Sequence, residues 1–385
     1  MTTPPRPISL AIGGLIALAI SMGIGRFVYT PILPFMLEDL KLSEGQAGLI
    51  ASANYAGYLL GALFAAMPGL KGARRTWLFV GLLASALTTA ATGLLTHMPG
   101  FYSVRFIAGF ASALVLVFAS TLVLERLRSS GHRGFSAVHF AGVGVGIALS
   151  AMLVSWLAAQ EFDWRSQWLI SGAISLIATI LVFLLVPNQT EPKHLPNKGK
   201  PSRATQALVV SYGLYGFGYV ITATFLVVIV RTTPQVQALE PIVWFVVGLT
   251  AALSIVLWNW VGDKIGVIQA FSLACVVEAI GVGASVLWIT PAGIILAASL
   301  LGGTVVAIAA LGLVVARELT GGDPRSIMGI MTAAFGLGQI IGPAYAGLLF
   351  DQTGSFLPSS LTASAALIIA AALCIIFTHH KPEEK

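Results

Sequence analysis

The chain has 385 residues, of which 57% are hydrophobic and 9% are charged; its net charge is +6 and its mean hydropathy is +0.91. Soluble domains are about 45–50% apolar and about 25% charged, so this composition excludes a soluble globule, and the scarcity of charge excludes a disordered chain. The 41 glycines follow no three-residue period, which excludes collagen. A multi-pass membrane protein remains.

Twelve apolar stretches follow one another along the chain, and each is long enough to cross a bilayer as a helix. A spanning helix uses about 20 mostly apolar residues, whereas a barrel strand uses about 9–11. The predicted spans are 9–35, 45–67, 76–96, 101–124, 135–159, 165–186, 206–230, 240–261, 267–289, 293–316, 327–349 and 357–378. The predicted fold class is therefore an all-α polytopic membrane protein with twelve transmembrane helices.

Lysine and arginine residues are concentrated in every second loop. With a cytoplasmic N-terminus, 16 of the 21 basic residues fall in cytoplasmic loops and tails, 3 in outer loops, and 2 (Arg26 and Arg105) inside spans. Because cytoplasmic loops carry the excess of positive charge, both termini are predicted to be cytoplasmic, in a bacterial-type inner membrane. This topology accounts for the net charge, and no clustered basic face indicates nucleic-acid binding.

The longest polar segment, residues 188–205, is rich in proline and lysine and lies between the sixth and seventh predicted spans. This composition is typical of a linker, and its basic residues favour a cytoplasmic location. Those residues are Lys193, Lys198, Lys200 and Arg203. The linker divides the chain into an N-terminal six-helix half, 1–187, and a C-terminal six-helix half, 206–385.

The two halves repeat one another at a nearly constant offset. Gly23 and Gly25 in the first span correspond to Gly216 and Gly218 in the seventh, 193 positions later. The same register, within one residue, relates Gly69 to Gly262, Gly109 to Gly302, Glu125 to Glu318, and Gly142 and Gly144 to Gly336 and Gly338. Two pseudo-symmetric halves in parallel are a recurrent transporter architecture, with substrate bound near the midplane between them.

Two motifs resemble those of one large transporter family. The loop 262–266, GDKIG, is similar to the D-[RK]-x-G core of the major facilitator superfamily signature, with Asp263 as its acid. Residues 105–109, RFIAG, are similar to the family's R-x-x-x-G element. The resemblance implies a part in proton coupling or gating for Arg105 and Asp263; the alternative for Arg105 is a side chain that snorkels to the outer membrane surface.

Segments 25–31 and 335–343 resemble the YbfB/YjiJ-type branch of that superfamily. The resemblance covers nearly the whole chain and implies the twelve-helix major facilitator fold and alternating access. Drug/proton antiporters of the superfamily usually carry a Gly-Pro element in the fifth span. The corresponding segment here, 141–150, has no proline, which disfavours a drug exporter without excluding it.

Arg26 lies well inside the first span. A charged group near the bilayer centre costs about 2.5–3.5 kcal/mol, so its presence indicates a function. Its fork of donors suits a carboxylate or phosphate, and Tyr29, three residues on, is predicted to share its helix face. We interpret Arg26 as an anion-binding residue that faces a central cavity; the alternative is a structural arginine neutralised by another helix.

Three tyrosines, Tyr212, Tyr215 and Tyr219, recur at helical spacing in the seventh span, and Tyr219 is the repeat mate of Arg26. Aromatic hydroxyl groups suit the lining of a cavity for an amphipathic organic ligand, although the same spacing fits a packing stripe. Further candidate substrate-binding residues are Asn54, Tyr58 and Gln339.

Four more titratable residues are candidates for proton coupling or gating. Glu278 is the one acid deep within a predicted span, and it suits a proton carrier unless it is hydrogen-bonded to a neighbouring helix. His139 titrates near neutral pH in its ordinary state, but a hydrogen-bonded interfacial histidine fits as well. Glu125 and Glu318 end cytoplasmic helices beside arginines, which predicts salt bridges between helices or gate residues.

The expected function is secondary active transport. No G-x-x-x-x-G-K-[ST] loop is present, so we expect no ATP-driven step, and no metal-spaced cluster or catalytic motif indicates an enzyme or a cofactor. Cys275 and Cys374 lie in apolar runs and predict neither a disulfide nor a zinc site. We expect a monomer that couples a small organic solute, an organic anion such as a carboxylate, to protons; the alternative is a proton-antiporting exporter of amphipathic drugs or metabolites.

Overall fold

The computed structural model describes residues 7–67, 70–129, 131, 135–186, 203–319 and 325–378. Its elements are α1 (Pro7–Leu18), a π-helix (Ala19–Ile24), α2 (Tyr29–Leu40), α3 (Glu44–Ala65), α4 (Arg74–Thr92), α5 (Met98–Ser129), α6 (Ser136–Ala159), α7 (Trp164–Leu185), α8 (Arg203–Thr232), a 3₁₀ turn (Gln237–Leu239), α9 (Glu240–Ile265), α10 (Val267–Leu287), α11 (Pro291–Leu319), α12 (Arg325–Thr353) and α13 (Leu357–Thr378). This described part of the chain contains no β-strand.

These elements correspond to the predicted spans. The first span consists of α1, the π-helix and α2, and each helix from α3 to α13 forms one further span. Eleven of these elements are long and apolar enough to cross a bilayer. The remaining one, α4, begins with Arg74 and Arg75 and is rich in threonine, which lowers its hydropathy. The predicted all-α fold class is confirmed.

Most of the predicted linker, residues 188–202, lies outside the described residues, as does Gly69. Residues 203–205, at the end of the predicted linker, instead form the first turn of α8. Pro201 is the last proline of the predicted linker, and residues 202–205 contain neither proline nor glycine, so the helix can begin directly after Pro201.

The first span is not a continuous α-helix. The N–H groups of Gly25 and Phe27 donate to carbonyls five residues back, at 2.8 Å and 3.1 Å, which is the π-helical pattern. Residues 25–28 then form turns before α2 begins. The break leaves the carbonyls of Gly25 and Arg26 available to side-chain donors.

Two helix seams join the part of the chain before residue 187 to the part after residue 203. In one seam α3 packs against α12, where Gly48 lies against the backbone of Pro343. In the other α6 packs against α9, where Gly248 lies against the backbone of Ala148. A methyl group at either glycine would overlap the facing backbone, so these glycines set the close approach of the helices.

Candidate functional site

The Arg26 side chain is buried at the centre of the bundle, with 4% of the residue exposed. Its guanidinium carbon lies 4.2 Å from the ring centroid of Tyr58, 4.5 Å from that of Tyr55 and 5.4 Å from that of Phe27. Nε and Nη2 have no hydrogen-bond partner, and no described carboxylate forms an ion pair with Arg26. Aromatic ring faces therefore surround its positive charge.

Arg105, on α5, holds the broken backbone that carries Arg26. Its Nη1 donates to the carbonyl of Gly25 at 3.0 Å, and its Nη2 donates to the carbonyl of Arg26 at 3.1 Å. The residue is 1% exposed, so the alternative of a snorkelling side chain is wrong. Charge-assisted hydrogen bonds to otherwise unpaired carbonyls stabilise the break.

Tyr29 and Asn54 contact Arg105 rather than Arg26. The Tyr29 ring centroid lies 5.4 Å from the Arg105 guanidinium carbon, and its hydroxyl donates to the carbonyl of Ala47 at 2.8 Å. Asn54 Nδ2 donates to the carbonyl of Arg105 at 2.9 Å. The predicted common face of Arg26 and Tyr29 is absent because the turn between them is not α-helical.

The three tyrosines of α8 stack against Phe335 of α12, and we call these four residues the aromatic column: Tyr212, Tyr215, Tyr219 and Phe335. The rings of Tyr219 and Phe335 are nearly parallel, at 9°, with centroids 5.9 Å apart. The hydroxyls of Tyr212 and Tyr215 donate to the carbonyls of Ala309 and Val305 on α11. These two tyrosines therefore contribute ring faces to the interior, while their hydroxyls are paired with backbone.

Tyr219 and Gln339 link the aromatic column to Arg26. Gln339 Nε2 donates to the Tyr219 hydroxyl, and Gln339 Oε1 has no hydrogen-bond partner. The Tyr219 hydroxyl interacts electrostatically with Arg26, Tyr55 and Tyr58. Side chains from the first span, α3, α8 and α12 thus meet at one place between the two seams.

Glu278 lies apart from this cluster, on α10, and is fully buried. Neither carboxyl oxygen has a hydrogen-bond partner, so the predicted alternative of a carboxyl bonded to a neighbouring helix is not found. Glu278 interacts electrostatically with Tyr215 of the aromatic column and with Cys275. A carboxyl group buried without a partner is costly, so its presence in a span indicates a function.

The other predicted gating residues lie away from Arg26. His139 is buried, with Nε2 3.0 Å from Ser120 Oγ. Glu125 pairs with Arg74 at 2.9 Å. Asp263 and Glu318 are exposed at helix ends, and neither forms an ion pair with another described side chain.

The sequence analysis missed Tyr55, which lies beside Arg26, and two residues that contact neighbours of Arg26. Tyr55 precedes Tyr58 by one turn, so helical spacing identifies it once Tyr58 is chosen. Phe335 stands directly before the glycine motif of α12 and carries no polar signal. Trp244, on α9, has a ring centroid 6.4 Å from that of Phe27 and a buried Nε1 without a partner; its spacing in the sequence gives no sign of this.

A family model described as "Uncharacterised MFS-type transporter YbfB" matches residues 18–375, which include every residue of this cluster. The chain belongs to this family of major facilitator superfamily transporters. The predicted resemblance to the YbfB-type branch is confirmed. The description of the family, an MFS-type transporter, agrees with the multi-pass helical architecture of the chain.

Curated relatives of this YbfB-type transporter include two from Acinetobacter baylyi. The 4-hydroxybenzoate transporter PcaK is 25% identical over 178 residues, 46% of this chain and 38% of PcaK. The niacin transporter NiaP is 28% identical over 187 residues, 48% of this chain and 40% of NiaP. The chain thus matches about two-fifths of each. The "Uncharacterized MFS-type transporter YcaD" of Salmonella newport is 22% identical over 377 residues, 96% of this chain and 95% of YcaD.

Solved structures share the fold of this YbfB-type transporter. The crystal structure of the nucleoside transporter NupG superposes with a TM-score of 0.70 at 16% identity, covering 97% of this chain and 99% of NupG. A bacterial homologue of the lysosomal transporter Spinster gives a TM-score of 0.67 at 13% identity, covering 98% of this chain and 96% of the homologue. At these identities the likeness concerns the twelve-helix fold.

Proposed function

We propose that this YbfB-type transporter is a secondary transporter that moves a small organic anion by alternating access and couples its movement to protons. The observation that carries the proposal is the unpartnered Nε and Nη2 of Arg26 in a buried site. A guanidinium at this depth is costly unless an anion compensates it, and no described protein carboxylate does so. The substrate supplies the missing charge.

The relatives support an anionic substrate of modest size. PcaK and NiaP are transporters of 4-hydroxybenzoate and niacin, and both ligands combine a carboxylate with an aromatic ring. Arginine binds carboxylates through paired N–H groups, and the tyrosine rings around Arg26 suit the apolar part of such a molecule.

Arg26→Lys tests the anion site. Lysine keeps the positive charge but loses the fork of donors, so ligand binding is expected to weaken by about 1–3 kcal/mol while the protein still folds. Arg75→Lys is the matched control, because Arg75 also packs on two rings, of Phe79 and Phe183, and donates to backbone carbonyls outside the site. Equal carboxylate affinity in Arg26→Lys and Arg75→Lys would contradict the proposal.

Glu278 is the proposed proton carrier, since it is a buried acid without a hydrogen-bond partner and lies beside Tyr215. In proteoliposomes, transport is expected to respond to an imposed pH gradient and to stop when a protonophore is added. Glu278→Gln should abolish this response. Transport that ignores both treatments would point to a uniporter or to another coupling ion.

The second candidate function is export of amphipathic cations in exchange for protons, and Glu278 is the observation that favours it. A buried acid next to stacked aromatic rings fits a cationic amphiphile. The two functions separate cleanly: cation binding would depend on Glu278 and survive Arg26→Lys, whereas anion binding would depend on Arg26.

We propose the orientation that follows from the basic residues: both termini and the 188–205 linker in the cytoplasm of a bacterial-type inner membrane, with a monomer of two six-helix halves, 1–187 and 206–385. A cysteine at Asn197 should resist impermeant thiol reagents in intact cells and react after lysis. Labelling in intact cells would contradict this orientation and indicate the opposite one.

A further inference from the structure

We infer that the ligand of the Arg26 site is a planar aromatic monocarboxylate, held edge-on by Nε and Nη2. The inference rests on the proposed function and makes it more specific. It concerns three properties of the ligand: the geometry of its anionic group, its total charge and the flatness of its apolar part.

The two unpartnered nitrogens of Arg26 lie on the same edge of the guanidinium. Nε–H and one Nη2–H point in parallel from that edge, and their spacing matches the two oxygens of a carboxylate. The Arg26 guanidinium lies over the faces of two rings, since its central carbon is 4.5 Å from the ring centroid of Tyr55 and 4.2 Å from that of Tyr58. The parallel N–H groups direct a carboxylate into the guanidinium plane.

The site offers one paired edge of donors, which accommodates one carboxylate. Among the described residues, the buried basic side chains are those of Arg26, Arg105 and His139. Both Nη groups of Arg105 are bonded to the carbonyls of Gly25 and Arg26, so only its Nε is without a partner, and His139 lies against Ser120 on α5. A second carboxylate on the ligand would find no second paired edge of donors, which is unfavourable for a buried anion.

The surroundings of Arg26 favour a flat ring. Tyr55 and Tyr58 of α3 lie beside the Arg26 guanidinium. Tyr219, which interacts with Arg26, stacks on Phe335 of α12 with the two rings nearly parallel. Aromatic rings gain from offset or edge contacts with such faces beyond the burial of area. A saturated ring of similar volume has no π-system and does not make these contacts.

Four small probes separate these properties when their binding to the purified full-length protein is measured by titration calorimetry. Benzoate is flat and carries one charge, cyclohexanecarboxylate is puckered with the same charge, and benzamide is flat and neutral. Terephthalate carries two charges, and 4-nitrobenzoate is its singly charged control of nearly equal shape.

We expect benzoate to bind about fivefold to tenfold tighter than cyclohexanecarboxylate and at least about tenfold tighter than benzamide. Terephthalate should bind about a hundredfold more weakly than 4-nitrobenzoate. Phe335→Leu should remove most of the preference for benzoate over cyclohexanecarboxylate. Phe79→Leu, which alters a ring pair outside the site, should leave that preference intact.

Each part of the inference can fail separately. Equal affinity for benzoate and cyclohexanecarboxylate would overturn the aromatic part, and equal affinity for terephthalate and 4-nitrobenzoate would overturn the single charge; the proposed anion transport would survive both results. Benzamide binding as tightly as benzoate, or no binding by any of the carboxylates, would overturn the inference and the proposed function together.

Discussion

Arg231 and Glu38 stand 193 positions apart, the offset of the internal repeat, and are joined by two hydrogen bonds. Nη2 donates to Oε2 at 2.7 Å and Nε donates to Oε1 at 2.9 Å. Thr30 and Ala223, with the same offset, are joined by a 2.8 Å hydrogen bond from Thr30 Oγ1 to the Ala223 carbonyl. Repeat mates touch where the pseudo-two-fold axis passes between them, so α2 and α8 flank that axis.

This pairing predicts an effect of Glu38→Gln on the conformation of the transporter. The proposed alternating access requires the end of the bundle that carries Glu38 to open, and this opening breaks the bonds between Glu38 and Arg231. An ion pair as exposed as this one contributes about 1 kcal/mol or less, so its loss should raise the open population by a factor of up to about 5. Lys41 and Gln235 are exposed on the two sides of this end. With spin labels at these positions, a larger fraction of molecules should then show the longer distance between the labels.

Glu125→Gln is the control for this measurement. The Arg74–Glu125 pair is also short, at 2.9 Å, but it joins α4 to α5 and does not bridge the two sides of the axis. Glu125→Gln should therefore leave the distance distribution between the labels unchanged. If Glu38→Gln has no more effect than Glu125→Gln, the Glu38–Arg231 pair does not hold this end closed.

Arg105→Lys should destabilise the protein. A lysine ammonium cannot reach both carbonyls of the broken helix in the way that the guanidinium does, and the loss of one charge-assisted hydrogen bond in a buried site costs about 1.5–3 kcal/mol. Arg165→Lys is a matched comparison, since Arg165 donates to the carbonyls of Gly93 and Leu95 at 3.3 Å each in a half-buried place. Melting in detergent should show a clearly smaller loss of stability for Arg165→Lys. Equal losses in the two variants would show that the two Arg105 hydrogen bonds do not stabilise the break.

Arg26 and Glu278 should not be coupled. Both have unpartnered polar atoms, and they do not form an ion pair with each other. The changes in unfolding free energy for Arg26→Ala and Glu278→Ala should therefore add to within about 0.5 kcal/mol in the double variant, as expected for separate sites. Recovery of stability in the double variant would mean that the two residues compensate each other, and Arg26 would then be a structural residue.

Much of the fold could be predicted from the sequence because bilayer thickness fixes the length of each apolar stretch. The offset of 193 also related Arg26 to Tyr219, and these two side chains interact in the structure. The face of Arg26 could not be predicted in the same way. Residues 25–28 form turns between the π-helix and α2, so the three-residue spacing of Arg26 and Tyr29 does not put them on one helix face, and Tyr29 packs against Arg105.

Contacts between helices that are far apart in the sequence could not be predicted either. The tyrosine stripe of α8 predicted one helix face, but its partner Phe335 depends on how α12 crosses α8. Trp244 lies near Phe27 because α9 and the first span both pack against α6, and neither residue carries a sequence signal for the other. Glu278 was correctly placed within a span, yet its missing hydrogen-bond partner is a property of the packed neighbours α8, α11 and α13.

Gly248→Ala should be destabilising because the added methyl group would overlap the Ala148 backbone in the α6–α9 seam. Overpacking of this kind costs about 1–3 kcal/mol. Gly303→Ala on α11 is the control: no neighbouring atom lies within 4 Å of the added methyl group, and alanine in a helix interior is favoured over glycine by about 0.5–1 kcal/mol. The melting temperature should fall in Gly248→Ala and rise in Gly303→Ala. A fall in both variants would show that overlap in the α6–α9 seam is not the cause of the lost stability.

Asp163 should give the protein a small acid-dependent loss of stability. It caps α7, and hydrogen bonds from the Ser166 side chain and from the Ser166 backbone N–H, the latter at 2.9 Å, hold the pKa of Asp163 below its usual value. A carboxyl group whose pKa is lower in the folded state stabilises that state above its unfolded pKa of about 3.9, and this stabilisation is lost as the pH falls through the folded pKa.

Asparagine caps a helix about as well without titrating, so Asp163→Asn should melt close to wild type at pH 7 and lose less stability between about pH 5 and pH 3. Asp163→Ala should lose about 1 kcal/mol at neutral pH. Parallel melting curves for wild type and Asp163→Asn down to pH 3 would show that this carboxylate does not contribute to the acid response.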